Sequence, residues 1–145
     1  DPNMPKINVV SQDIARVLLN IMNNAFQACA ENLVVPISIG MSVIPLKDQR
    51  GLSESQNEYK PFVSVSTKYP GDKVEIAISD NGPGIPDSIK DKIFQPFFTT
   101  KPTGHGTGLG LSLAYDIIKA HGGEIKLDSS SNGSVFTIQL PIDTF

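Results

Sequence analysis

Ile14, Val17, Leu18, Ile21, Ala25, Ala28 and Cys29 recur at the three- and four-residue spacing of one helix face. Opposite them, Asp13, Arg16, Asn20, Asn24, Gln27 and Glu31 fall within one narrow sector at about 100° per residue. The spacing predicts a helix over 12–31, with Ser11 as its N-cap and Asp13 near the positive end of its dipole. Ahead of it, 7–10 reads as a short edge strand. Residues 34–43 are apolar enough for a strand, which Pro36 restricts to an edge or a loop. Residues 47–60 are polar and read as a flexible insertion.

Two strands follow, joined by a tight turn at Tyr69-Pro70-Gly71-Asp72. In the first, Phe62, Ser64 and Ser66 alternate with Val63, Val65 and Thr67; in the second, Val74, Ile76 and Ile78 share a face. A short helix is predicted over 87–93. A second long helix is predicted over 107–121, apolar apart from a strip of Ser112, Asp116 and Lys119, and therefore buried. Gly122-Gly123 ends it, and strands over 124–128 and 134–140 close the chain around a turn at 129–133. The order of helix, two strands, loop, helix and two strands predicts a layered α+β sandwich.

A chain of 145 residues supports one domain with a core. A net charge of −3 argues against a general nucleic-acid binder. No apolar run reaches the roughly 20 residues of a membrane span. The opening Asp1-Pro2-Asn3-Met4-Pro5 lacks the pattern of a signal peptide. The single Cys29 excludes an internal disulfide and suits a reducing compartment.

Three clusters then carry chemistry. Asp80 has the parity of Val74, Ile76 and Ile78, so its carboxylate points to the core side, where it needs a donor. Two readings are open: a cap for the Asp-Asn-Gly turn, or an acceptor for a ligand amine such as that of adenine. Gly82 and Gly84, in Asn81-Gly82-Pro83-Gly84-Ile85, let backbone approach a flat ligand closely. Gly104-His105-Gly106-Thr107-Gly108-Leu109-Gly110-Leu111 opens the second long helix, where free N–H groups and the helix dipole suit phosphate. It has no Gly-Lys-Ser/Thr of a Walker A loop, and 97–102 is not the strand a dinucleotide fingerprint requires. Asparagine is a poor helix-interior residue, so Asn20 and Asn24 on one stripe need a reason. Asn24 borders the apolar sector, half-buried, where a neutral amide oxygen could complete the shell of a phosphate-bound Mg²⁺.

In chain order, the Asn box (Asn20-Ile21-Met22-Asn23-Asn24-Ala25), Asp80-Asn81-Gly82-Pro83-Gly84, the phenylalanine box (Phe94-Gln95-Pro96-Phe97-Phe98), Gly106-Thr107-Gly108-Leu109-Gly110-Leu111 and Gly133-Ser134 resemble the Bergerat-fold ATPases. That superfamily comprises gyrase, the ninety-kilodalton heat-shock chaperone, histidine kinases and MutL. The resemblance implies a two-layer α/β sandwich with helices on one face of a mixed sheet, spanning 1–145. The histidine-kinase branch fits best. Hydrolysing branches carry a water-activating glutamate where Asn20 stands, and an amide cannot act as a base.

What the resemblance implies for the site is as follows. Asn20 and Asn24 are the catalytic candidates, with Asn24 on Mg²⁺. Asp80 accepts from the adenine amine, and Gly82, Gly84 and Ile85 line the adenine pocket. Backbone at Gly106, Thr107, Gly108, Leu109 and Gly110 holds the phosphates of ATP. Phe94, Phe97 and Phe98 anchor a lid over 95–105, with Phe97 also among the nucleotide-contacting residues. Gln27 stands where many histidine kinases carry a lysine, so Lys101 in the lid is a candidate replacement cation. Ser134 stands for a more usual threonine, keeps the hydroxyl, and shares the face of Phe136, Ile138 and Leu140.

Neither His105 nor His121 has the setting of a phosphoacceptor; His121 reads as a helix C-terminal partial charge. The resemblance therefore implies a catalytic piece of a longer, cytoplasmic or membrane-anchored, homodimeric kinase. Its partners would be that protein's own helical phosphoacceptor domain and a response regulator, with no nucleic acid and no membrane contact by this piece. The rival readings are another superfamily ATPase or protein kinase of the anti-sigma-factor kind, and a nucleotide-free docking module.

Overall fold

A computed structural model describes residues 1–31, 59–101 and 106–142. The expectations for 34–43 and for most of 47–60, and His105, lie outside the described residues. The elements are α1 (Ser11–Glu31), β1 (Val63–Lys68), β2 (Lys73–Asp80), α2 (Asp87–Lys90), α3 (Gly110–Ala120), β3 (Glu124–Ser130) and β4 (Gly133–Pro141). The four strands form one sheet in the order β1-β2-β4-β3. All three pairings among the described strands are antiparallel, so the expected mixed sheet is corrected. Turns join β1 to β2 and β3 to β4, whereas β2 reaches β3 through a helical crossover; these two run parallel but are separated by β4, so no parallel pair is hydrogen-bonded among them.

α1 buries Ile14, Val17, Ile21, Ala25 and Cys29, the predicted stripe. It packs on α3 and on β2. The sheet answers with alternate residues: Val74 and Ile78 of β2, Ile125 of β3, and Phe136, Ile138 and Leu140 of β4 are all buried. Side chains such as Val17, Ile21, Ile118 and Ile138 are fully enclosed, each contributing about 1.5–3 kcal/mol relative to exposure. The architecture is a two-layer α+β sandwich with one core between helices and sheet.

Four local expectations need correction. Residues 7–10 form no strand; Ile7 and Val9 instead lean on the core. Ser11 does not cap α1. Val10 does so by its carbonyl, which accepts from Asp13 and Ile14 at 3.0 and 3.1 Å, while its own N–H donates to His121 Nε2 at 3.2 Å. His121 is buried and also donates from Nδ1 to the Ile117 carbonyl at 2.8 Å. It staples the entry of α1 to the end of α3, a role that its place at a helix terminus did not suggest. Finally, Ser112 is buried, its hydroxyl returned to the Leu109 carbonyl at 3.1 Å, and Leu113 takes its place on the exposed strip of α3.

Candidate functional site

The one-turn α2, the start of α3, α1 and the floor of the sheet enclose a cleft of about 360 Å³. Asn20, Asn24 and Gln27 reach it from α1 because helical spacing stacks them on one stripe beside the buried face. Gly84 and Ile85 enter from the loop after β2, and Ser134 and Phe136 from β4. Lys101, Gly106, Thr107, Gly108 and Gly110 close the remaining side. Ile89 and Ile93 add an apolar wall that no motif signalled.

The helix end works differently from expectation. α3 starts at Gly110, three residues later than predicted, because Gly108 adopts φ +66 and interrupts helical backbone. Its N-cap position, Leu109, provides no side-chain cap. The first N–H groups of the helix are therefore left for a ligand, at the positive end of its dipole. Asn20 fixes this end to α1 by donating from Nδ2 to the Gly110 carbonyl at 3.1 Å. Leu109 itself is exposed and does not line the cleft. Asn24 is half-buried as expected and lines the cleft, and its amide makes no hydrogen bond among the described residues.

Asp80 ends β2 with 7% of its surface exposed. One carboxylate oxygen, Oδ1, accepts the Gly82 N–H at 2.9 Å, which is the turn cap. The other accepts no hydrogen bond among the described residues, so the cap and a ligand role are compatible. Asp80 does not line the cleft itself; it pairs across the sheet with Ser134, which does. Gly82 does not line the cleft. It is buried, where a Cβ would stand 2.8 Å from that of Ala28, so its lack of a side chain lets α1 settle onto the sheet. Gly84, at φ +77, does line it; a Cβ there would lie 1.8 Å from the Ser130 carbonyl oxygen.

Of the three phenylalanines expected to anchor the lid, Phe94 and Phe98 pack on the core. Phe97 does not: the residue is 74% exposed and does not line the cleft. Its backbone is the anchor, at φ +65, with the N–H donating to the Gly108 carbonyl at 3.0 Å. Lys101 lines the cleft and its ammonium donates to Gln27 Oε1, joining the lid to α1 at the residue that stands in place of a lysine.

Two residues make contacts that the motifs did not announce. Asn81 is a hub: its Oδ1 accepts from the Phe62 N–H at 2.8 Å, from Tyr59 at 3.1 Å and from the Cys29 thiol at 3.4 Å. Ser129, expected only in a turn, sits on an extended β3 and bonds both to the Ile85 N–H and to Ser134. Among the described residues no group of three His, Cys, Asp or Glu could hold a metal. A cation here would be held by a neutral amide together with ligand oxygens, which is the donor chemistry of Mg²⁺ brought in on phosphate.

An anion-ready helix end and an amide stripe facing it line one cleft, with Asp80 in the sheet beside the lining Ser134. The model of histidine kinase-, DNA gyrase B- and HSP90-like ATPases matches residues 9–144. The chain belongs to that ATPase family. Within it, the histidine-kinase branch is where its relatives lie. The chain is 37% identical over 144 residues to the signal transduction histidine-protein kinase AtoS of Escherichia coli (strain K12), covering 99% of this chain and 19% of that one. It is 54% identical over 71 residues to the sensor kinase CckA of Brucella abortus (strain 2308), 48% of this chain and 8% of that one. Among solved structures, the catalytic domain of histidine kinase ThkA matches with a TM-score of 0.67 and 30% identity, covering 94% of this chain and 71% of that one. This ATPase-family chain spans a third or less of the length of the curated relatives it matches.

Proposed function

We propose that this domain binds Mg·ATP in the cleft and donates the γ-phosphoryl group to a histidine on a separate helical phosphoacceptor domain. The observation that carries the reading is the uncapped start of α3, with its glycine-rich approach, facing Asn20 and Asn24 across the cleft while Asp80 and Ser134 end the sheet below. Asp80, whose second carboxylate oxygen accepts no hydrogen bond among the described residues, would take the amine of the base. Backbone N–H groups of Gly106, Thr107, Gly108 and Gly110 would hold the phosphates, and Lys101 would offset their charge.

The chain's residues act by positioning and by offsetting charge, the main requirements of phosphoryl transfer. Asn24 would hold Mg²⁺ through its amide oxygen; the metal when bound neutralises charge on the phosphate oxygens. Asn20 keeps the start of α3 aligned with α1. Position 20, where the hydrolysing branches place their water-activating glutamate, holds the amide of Asn20, which favours transfer over hydrolysis. A response regulator, a homodimeric parent and a cytoplasmic location belong to the same proposal, supported by relatives named as sensor kinases.

Calorimetry with Mg·ATP, followed by phosphorylation in trans of a purified helical histidine domain, tests this. Wild type binds and transfers, giving an acid-labile product. Asp80→Asn removes a charge-assisted acceptor and weakens ATP binding by about ten- to a hundredfold. Binding without an acid-labile product would redirect the reading to another kinase of the superfamily. No binding would end it.

A further inference from the structure

Ser129 Oγ makes more contacts than a strand-end hydroxyl needs, and the nucleotide reading uses none of them. It accepts the Ile85 N–H at 2.8 Å, lies 2.8 Å from Ser134 Oγ and is 3.3 Å from the Gly133 carbonyl. Ser129 pairs in register with Ser134, and Ser134 pairs with Asp80. Directly opposed residues share a sheet face. Ser129, Ser134 and Asp80 therefore stand in one row across β3, β4 and β2, with Ser134 lining the cleft between the other two.

A serine hydroxyl has one proton and two lone pairs, so the row has two arrangements. In the first, Ser129 donates to Ser134 Oγ, and the Ser134 proton is free to enter the cleft. In the second, Ser129 donates to the Gly133 carbonyl and Ser134 donates back to Ser129, leaving Ser134 as an acceptor only. The geometry favours the first, since 2.8 Å is near the optimum for two hydroxyls and 3.3 Å is long. The Ile85 N–H adds to the bias, because a hydroxyl that accepts a hydrogen bond becomes a better donor. The Ser134 proton has no other acceptor among the described residues.

We propose that Ser129 is a positioning residue that holds the Ser134 hydroxyl as a donor, so that the sheet offers an acceptor from Asp80 beside a donor from Ser134. That pair complements a base edge bearing an amino group next to an unprotonated ring nitrogen. It opposes an edge bearing a carbonyl oxygen next to a ring N–H. Ser129 thereby selects 6-aminopurine over 6-oxopurine nucleotides, a deepening that rests on the nucleotide reading above.

The test is calorimetric titration of the chain with ATP and with inosine triphosphate, which differ at the 6-position and the adjacent ring nitrogen. Wild type prefers ATP. Ser129→Ala narrows that preference about tenfold, the loss of one oriented hydrogen bond, and Ser129→Thr retains it. Ser129→Ala adds nothing in a Ser134→Ala background, because the two act as one relay. If Ser129→Ala fails to fold, Ser129→Cys keeps the shape with a weak donor and loses the preference likewise. Equal weakening of both nucleotides, or additivity with Ser134→Ala, would assign Ser129 a purely structural role and overturn the inference, as would a wild type that binds both alike. A wild type that binds neither would overturn the nucleotide reading and this inference with it.

Discussion

Lys90 serves two partners: its ammonium lies 2.6 Å from Asp87 Oδ1, three residues back on α2, and donates to the Ser129 carbonyl at 2.8 Å. The hydrogen bond and the charge of Lys90 hold the Asp87 carboxyl below its ordinary value of 3.8. A depressed carboxyl contributes stability above the unfolded value and loses it as pH falls through the folded one. Asp87 is fully exposed, so the contribution is small and screened by salt. A carbon-detected NMR titration should find Asp87 ionising below the ordinary aspartate range, and Lys90→Met should return it there. A normal titration in the wild type would refute the pairing. Contacts of this sort were illegible in the sequence. Lys90 meets Ser129, and Asn81 meets Phe62 and Cys29, only after strands far apart in the chain have paired, whereas Asp80 and the glycines announce themselves by local turn chemistry.

The entry to α3 depends on glycine for two separate reasons. At φ +66, Gly108 holds a conformation other residues rarely take, and a Cβ there would lie 2.5 Å from the Phe97 carbonyl carbon. Gly108→Ala therefore forces the lid backbone and the helix start apart. We expect nucleotide binding to fall by tenfold or more while thermal stability drops by about 1–3 kcal/mol, because the core cluster contains neither residue. Gly71→Ala is the control: φ is +117 but nothing lies within 4 Å, so it costs strain alone and leaves binding intact. Calorimetry and thermal melts on both variants decide it; equal binding losses would make strain the whole effect. α1 was legible to within a residue, since a 3.6-residue stripe over 21 residues has no rival interpretation. The start of α3 was not, because Leu109 continues the apolar pattern and composition does not reveal a left-handed glycine.

Helices on one face, strands on the other and a cleft where the two layers part follow from the order of elements, which the periodicities carried well. Strand direction and the exact partners across the cleft did not, as both depend on how distant segments close on one another. The cleft's charge balance is such a property. Among its described lining residues only Glu31 and Lys101 are charged, so a triphosphate against α3 would have one side-chain cation to meet it. The Lys101 ammonium is on Gln27, and its Cδ would lie 3.0 Å from a Cβ on Gly106, so its stem crosses the glycine segment that approaches α3. The cation therefore arrives with the lid, and Gln27 holds it where α1 could have supplied one directly. Lys101→Ala should weaken ATP binding by about ten- to a hundredfold and leave adenosine nearly unaffected, with the difference shrinking in high salt. Gln27→Lys combined with Lys101→Gln moves the charge to the other side of the same contact and should recover most of the lost affinity. Titrating ATP and adenosine against all three proteins separates charge from packing: if the exchange recovers nothing, or adenosine weakens as much as ATP, the contact closes the cleft without acting on phosphate.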